Sequence, residues 1–141
     1  KEIEKSEKSI GEALRISEYI MGSMGVAFIL FPEFILSLFT SDTSIVTMGI
    51  WGLRVIGVIQ FVDAVGLPLW FSLTAAGNTL FPAITEVSIL WLWSIPLSLF
   101  LGVYMELGFF GSLIPLVVHY LSFALILGWK IKSGTWKEIE I

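Results

Sequence analysis

Four long apolar runs, parted by three short turns, dominate the chain. Ahead of the first run, residues 1–15 (KEIEKSEKSIGEALR) alternate Lys and Glu. Glu4 and Lys8 form an i,i+4 pair in the favourable order, and Ile3, Ile10, Ala13 and Leu14 make a thin apolar stripe. That pattern predicts a short amphipathic helix. The first run extends from about Ile16 to Phe39, some 24 residues, against the roughly 20 that cross the hydrocarbon of a bilayer. Glu33 lies near its far end, where an acid reaches headgroups, and reads as interfacial. In the interruption TSDTS (40–44), Asp42 or Thr43 is placed to cap the next helix. The second run, about Ile45 to Ala75, is longer than a bilayer needs, so tilt, a kink or protrusion is expected. Gly77 just beyond it is a helix-stop signal.

Asn78 and Thr79 can cap the third run, with Pro82 in its first turn, where the missing N–H is harmless. This run carries Trp91, Trp93 and Pro96 and reaches about Met105. After a turn at 107–110, the fourth run spans about Gly111 to Trp129 and holds Pro115 and His119. The tail KIKSGTWKEIEI is polar and amphipathic, and Trp129 and Trp136 suit a membrane interface. The pattern predicts an all-α membrane protein: a link at 1–15, a four-helix transmembrane part at 16–132 and a tail at 133–141.

Composition sharpens this reading. The chain is 56% hydrophobic and only 14% charged, where soluble domains carry about 25% charged residues; its mean hydropathy is +0.90. Of eight Lys and Arg, four lie at or before Arg15 and three at or after Lys130, leaving Arg54 alone in the interior. Both basic ends fall on one side of a four-span topology, which the positive-inside rule makes cytoplasmic. The same ends are mixed with Glu, so no nucleic-acid patch exists. Without Cys there are no disulfides or thiolate metal sites. Opening on Lys1 rather than Met, with a charged helix in place of a signal peptide, the chain reads as a segment of something longer.

Asp63 is the residue that needs explaining. A carboxylate near the centre of a span costs roughly 3 kcal/mol or more, so its retention points to function. Gln60 lies three residues earlier, on the same helical face, and Pro68 leaves the carbonyl of Ala64 without its usual donor. Carboxylate, amide oxygen and loose carbonyl are hard oxygen ligands suited to Na⁺, or to a carboxyl that takes up and releases a proton; the alternative is an acid buried for packing alone. Arg54, nine residues away on the opposite face, is poorly placed to pair with it and reads as structural. His119, at a similar depth in the fourth run, could relay protons with Asp63; the preferred reading is a neutral imidazole bonded to a nearby carbonyl. Trp91 could stack on an organic cation, although packing is the commoner fate of such a ring. Glu86 and Glu106 read as interfacial. No nucleophile–base pair, phosphate loop or metal cluster is present, and an enzyme is not expected.

Taken in order, FPEFILSLFTSD (31–42), LRVIGVIQFVDAVG (53–66), AAGNTLFP (75–82), WLWSIP (91–96) and LGFFG (107–111) resemble the second lobe of the multidrug and toxic compound extrusion (MATE) family, its ninth to twelfth transmembrane helices. The resemblance implies four helices of a twelve-helix, two-lobe transporter of the cytoplasmic (inner) membrane, in contact with the lipid bilayer and with the remaining helices of the same transporter. It implies an antiporter that couples Na⁺ or H⁺ to export of small organic cations or drugs, with no cofactor beyond the coupling ion. Asp63 stands where the sodium-driven members carry their tenth-helix carboxylate, Gln60 would assist it, and Pro68 and Pro96 would let helices bend. The family's turn G-A-L-R-G-A-G-D-T-R is here Phe71 to Leu80 (FSLTAAGNTL), without both arginines, the acid and two of the glycines. Two other readings stay open: a lipid-linked oligosaccharide flippase of the same superfamily, and a non-transporting membrane scaffold or degenerate remnant, which the altered turn favours.

Overall fold

A computed structural model describes residues 2–134, and of residues 2–4, 6 and 7 the backbone alone. The Glu4–Lys8 pair, Ile3 and Trp136 with the last residues of the tail lie outside the described residues. Within them the chain is helical, with no strand: α1 (Glu2–Leu30), α2 (Pro32–Ser37), α3 (Thr43–Ala75), α4 (Leu80–Ile89), α5 (Ile95–Leu99) and α6 (Gly108–Ser133). Two wide π-helical turns, Leu90–Ser94 and Phe100–Tyr104, flank α5 and merge with α4 into one rod. Four stretches are long and apolar enough to cross a membrane: Lys8–Leu30, Thr43–Ala75, Leu80–Tyr104 and Gly108–Ser133.

The expected four-helix membrane fold is therefore present, with adjustments at the helix ends. The amphipathic opening continues without a break into the first span. That span stops at Leu30 rather than Phe39, because a residue before proline is pushed out of the α region. Phe31 accordingly sits at φ −124°, ψ 41°, and Pro32 restarts the chain as the first residue of α2. At the other end of the molecule, α6 begins at Gly108, inside the expected turn; the reversal falls instead at Met105–Leu107, with Glu106 at φ 56° and Gly108 at φ 54°.

Between α3 and α4 the backbone closes as a Schellman turn. Asn78 N–H donates to Leu73 O at 2.9 Å and Gly77 N–H to Thr74 O at 3.0 Å, with Gly77 at φ 82°, where glycine carries no steric penalty. The Asn78 side chain then accepts from Phe81 N–H at 3.4 Å, a contact that guides the chain into α4.

Packing follows from the antiparallel order. Leu69 and Leu73 of α3, Ile89 of α4, and Phe123 and Leu127 of α6 form the buried core, with Ile10 and Leu14 of α1 against it. The first half of α1, the end of α3, α4 and the second half of α6 thus meet at one end of the bundle. Lys130, 4.9 Å over the Phe81 ring, lies at that same end. Away from this core, large apolar side chains such as Ile20, Phe71, Leu92 and Leu125 remain exposed. A surface like this fits a lipid solvent and neighbouring helices.

The entry to α3 is held by Asp42, whose Oδ1 accepts from Ser44 N–H (2.9 Å), Ile45 N–H (3.4 Å) and the Ser44 hydroxyl (2.7 Å). The Ser44 hydroxyl, then the two amides, hold this carboxyl below its ordinary value of 3.8. A lowered carboxyl contributes stability at neutral pH and loses it only as pH falls through the lowered value. Amide exchange at Ser44 and Ile45 should therefore stay slow as pH drops past 3.8 and accelerate below that. Asp42→Ala should expose both amides at neutral pH, whereas Asp42→Asn should retain most of the protection.

Candidate functional site

Three helices bring ionisable side chains together on the inner side of α3. Asp63 lies on the face of α3 turned to α6: the position of a Cβ on Gly66 would be 3.7 Å from Asp63 Oδ1, 3.5 Å from Phe123 and 3.7 Å from Ala124. Its carboxylate is therefore half-buried among apolar groups, and no hydrogen bond or ion pair among the described residues engages it. Across the interface, Glu86 of α4 and Tyr120 of α6 lie within electrostatic reach.

His119 links two other helical segments through both ring nitrogens. Its Nδ1 is 2.8 Å from Ser94 Oγ and its Nε2 is 3.1 Å from Glu86 Oε1. The imidazole is only 11% exposed and Glu86 38%. With Glu86 ionised, Nε2–H donates to the carboxylate and Nδ1 accepts the Ser94 hydroxyl proton; a second proton turns Nδ1 into a donor and Ser94 into an acceptor. An open groove of about 400 Å³ runs past these groups, lined by Ser98 and Ser112 among others.

Ser94 reaches this position through the π turn. In a regular helix it would sit about 80° round from Glu86, eight residues earlier. A wider turn advances less per residue and brings Ser94 back towards the Glu86 face. The turn is closed by Ile95 N–H donating to Leu90 O, and next comes Pro96, whose missing N–H weakens regular helix pairing there.

Other residues singled out from sequence are more dispersed. Gln60 fronts α1, its Cβ 3.2 Å from where a Cβ on Gly25 would stand, and no hydrogen bond joins it to Asp63. The helix α3 continues without interruption across Pro68, whose carbonyl accepts from the Ser72 hydroxyl at 2.7 Å. Pro96 is exposed. Trp91 is 64% exposed and lines none of the grooves described here. Arg54 is exposed and stacks 5.3 Å over the Trp51 ring, beside a groove it shares with Glu33. His119 bonds to Glu86 and Ser94 rather than to Asp63 or a backbone carbonyl. Glu86, read from sequence as interfacial, is the residue that reading missed. The signal available was modest: an acid six residues inside a span that also holds a serine eight residues on.

No group of three or more His, Cys, Asp or Glu able to hold a metal occurs among the described residues. A small cation here would depend on one carboxylate and on amide or carbonyl oxygens.

Four helices long and apolar enough to cross a membrane, with a partly buried polar cluster between them, define a multi-pass membrane protein. The model of the MatE family matches residues 1–100, and the chain belongs to that family. It is 28% identical over 116 residues to a Thermotoga maritima protein named "Probable multidrug resistance protein NorM", a match covering 82% of this chain and 25% of that protein. The aligned part thus corresponds to about a quarter of that relative's length. No solved structure matches the chain.

Proposed function

We propose that this chain is part of a cation-coupled antiporter exporting organic cations or drugs across the cytoplasmic membrane, with Asp63 as the coupling residue. The observation that carries this reading is the unpartnered, half-buried Asp63 carboxylate, beside Gly66, whose own face meets Phe123 and Ala124 of α6. An acid so placed gains most from a small positive ion, Na⁺ or H⁺, that enters and leaves. The Ala64 carbonyl, lacking the proline donor, and the Gln60 amide are the further oxygens on the same helix. Membership of the MatE family and the similarity to a protein named for multidrug resistance support the assignment.

The remaining helices of the transporter complete the substrate path, and both ends of this segment face the cytoplasm, where its Lys and Arg lie. A flippase for an anionic lipid-linked cargo is less well supported. The cation it would need within a span is Arg54, which stacks on Trp51 at an exposed position. Calorimetry on the intact protein is the test: Na⁺ uptake should be measurable in the wild type and absent in Asp63→Asn. Equal uptake by both would remove Asp63 from the coupling site.

A further inference from the structure

We propose that His119, Glu86 and Ser94 form a second, proton-binding site, and that a proton held there opposes a cation at Asp63. The second half of this proposal rests on the coupling role given to Asp63 above; the first half does not.

Geometry carries the site. An imidazole held at both nitrogens, at 2.8 Å by a hydroxyl and at 3.1 Å by a carboxylate, is ready for either protonation state. The hydroxyl reverses its role from donor to acceptor as the second proton arrives, so neither state leaves a polar atom unmatched. Ser94 is buried, His119 is nearly so, and Glu86 and His119 both line the open groove. The groove gives protons a route in, and the burial strengthens the charge–charge interactions.

The groups facing His119 are few. From α4 there is Glu86, which in turn lies within electrostatic reach of Asp63 on α3; from α6, Tyr120, in edge contact with the imidazole ring at 5.4 Å. From the π turn before α5 there is Ser94, and Ser98 and Ser112 are the other polar lining residues; none of the three titrates in the working range. No Lys or Arg lines the groove. With both carboxylates ionised, the cluster carries two negative charges and no fixed positive one. It is suited to holding one proton on His119, or one cation at Asp63, and less suited to holding both at once. Glu86 and Asp63 interact through space without a hydrogen bond between them, so each site can fill separately. By linkage, whatever protonation does to cation affinity, the cation does equally to proton affinity.

The test uses ¹⁵N-histidine labelling of the intact protein, with His119→Gln subtracted to isolate the His119 signals. In the wild type His119 should show the Nε2–H tautomer at high pH and become protonated at both nitrogens as pH falls. In Glu86→Gln, whose amide can donate to Nε2 as well as accept from it, the preference for the Nε2–H tautomer should be lost. With saturating Na⁺ the protonation of His119 should demand more protons, by about fivefold or more, and this response should vanish in Asp63→Asn. A His119 that stays neutral from pH 8 to pH 5, or an Nε2–H tautomer unmoved in Glu86→Gln, overturns the proton site; the wild-type titration alone decides the first point. A Na⁺ response that persists unchanged in Asp63→Asn overturns the opposition to Asp63. Failure of the Asp63 assignment reads differently: cation uptake survives in Asp63→Asn while His119 still titrates and its tautomer still depends on Glu86.

Discussion

Asp63→Asn in the intact protein should reduce cation-driven efflux to the level of cells lacking the transporter, while the protein accumulates in the membrane at least as well as the wild type. The two halves of this expectation share one physical cause. Asparagine keeps the size of the side chain and one acceptor oxygen but cannot ionise, so packing beside Gly66 is preserved. Removing an ionisable group from a span also relieves an insertion cost of roughly 3 kcal/mol. A structural acid would behave in the opposite way. Were Asp63 retained to bind a partner, its loss would leave that partner unmatched and lower abundance, yet no described residue bonds to it. Efflux measured with a fluorescent organic cation, alongside membrane abundance, distinguishes these outcomes. Asp63→Glu, which keeps the charge but displaces it by about one methylene, should retain partial transport. Wild-type efflux in Asp63→Asn would end the coupling role of this residue.

How the site could be read from sequence depends on the reach of each signal. Asp42 as a cap, Gly77 as a stop and Pro82 inside a helix start are local; each depends on residues within a turn, and the structure has each of them. The four apolar spans are equally legible, because hydrocarbon thickness sets their length whatever they pack against. Glu86 and His119 are 33 residues apart, and their meeting depends on how α4 and α6 are rotated about their axes. That rotation is altered by the π turn at Leu90–Ser94, which regular 100° periodicity does not anticipate. The same periodicity places Gln60 and Asp63 on one face, which is true of α3 in isolation. Which neighbour each residue meets is set by the crossing of α1 on one side and α6 on the other. A single sequence carries little trace of that.

That crossing yields the largest expected effect on stability. The helices α1 and α3 touch at Gly25 and Gly57, backbone against backbone. A Cβ on Gly25 would stand 2.6 Å from the Gly57 carbonyl oxygen, and a Cβ on Gly57 would stand 2.8 Å from that of Gly25 and 2.8 Å from Ile29. Membrane helices associate through such close packing, since lipid supplies little hydrophobic drive between them. The two carbonyl oxygens belong to main chain and cannot swing aside, so even alanine must push the helices apart. Gly25→Ala and Gly57→Ala should each destabilise the bundle by about 1–3 kcal/mol, read as loss of helicity at lower denaturant. The matched control is Gly11→Ala, the same exchange on α1 with nothing within 4 Å, which should leave stability unchanged or raise it by about 0.5–1 kcal/mol. Both crossing variants relieve one clash by one displacement, so the double variant should cost clearly less than the sum of the two. Full additivity would mean that the two glycines do not share a contact. Because Gln60 abuts this crossing and Asp63 follows one turn later, the same variants should weaken cation uptake before they unfold the protein.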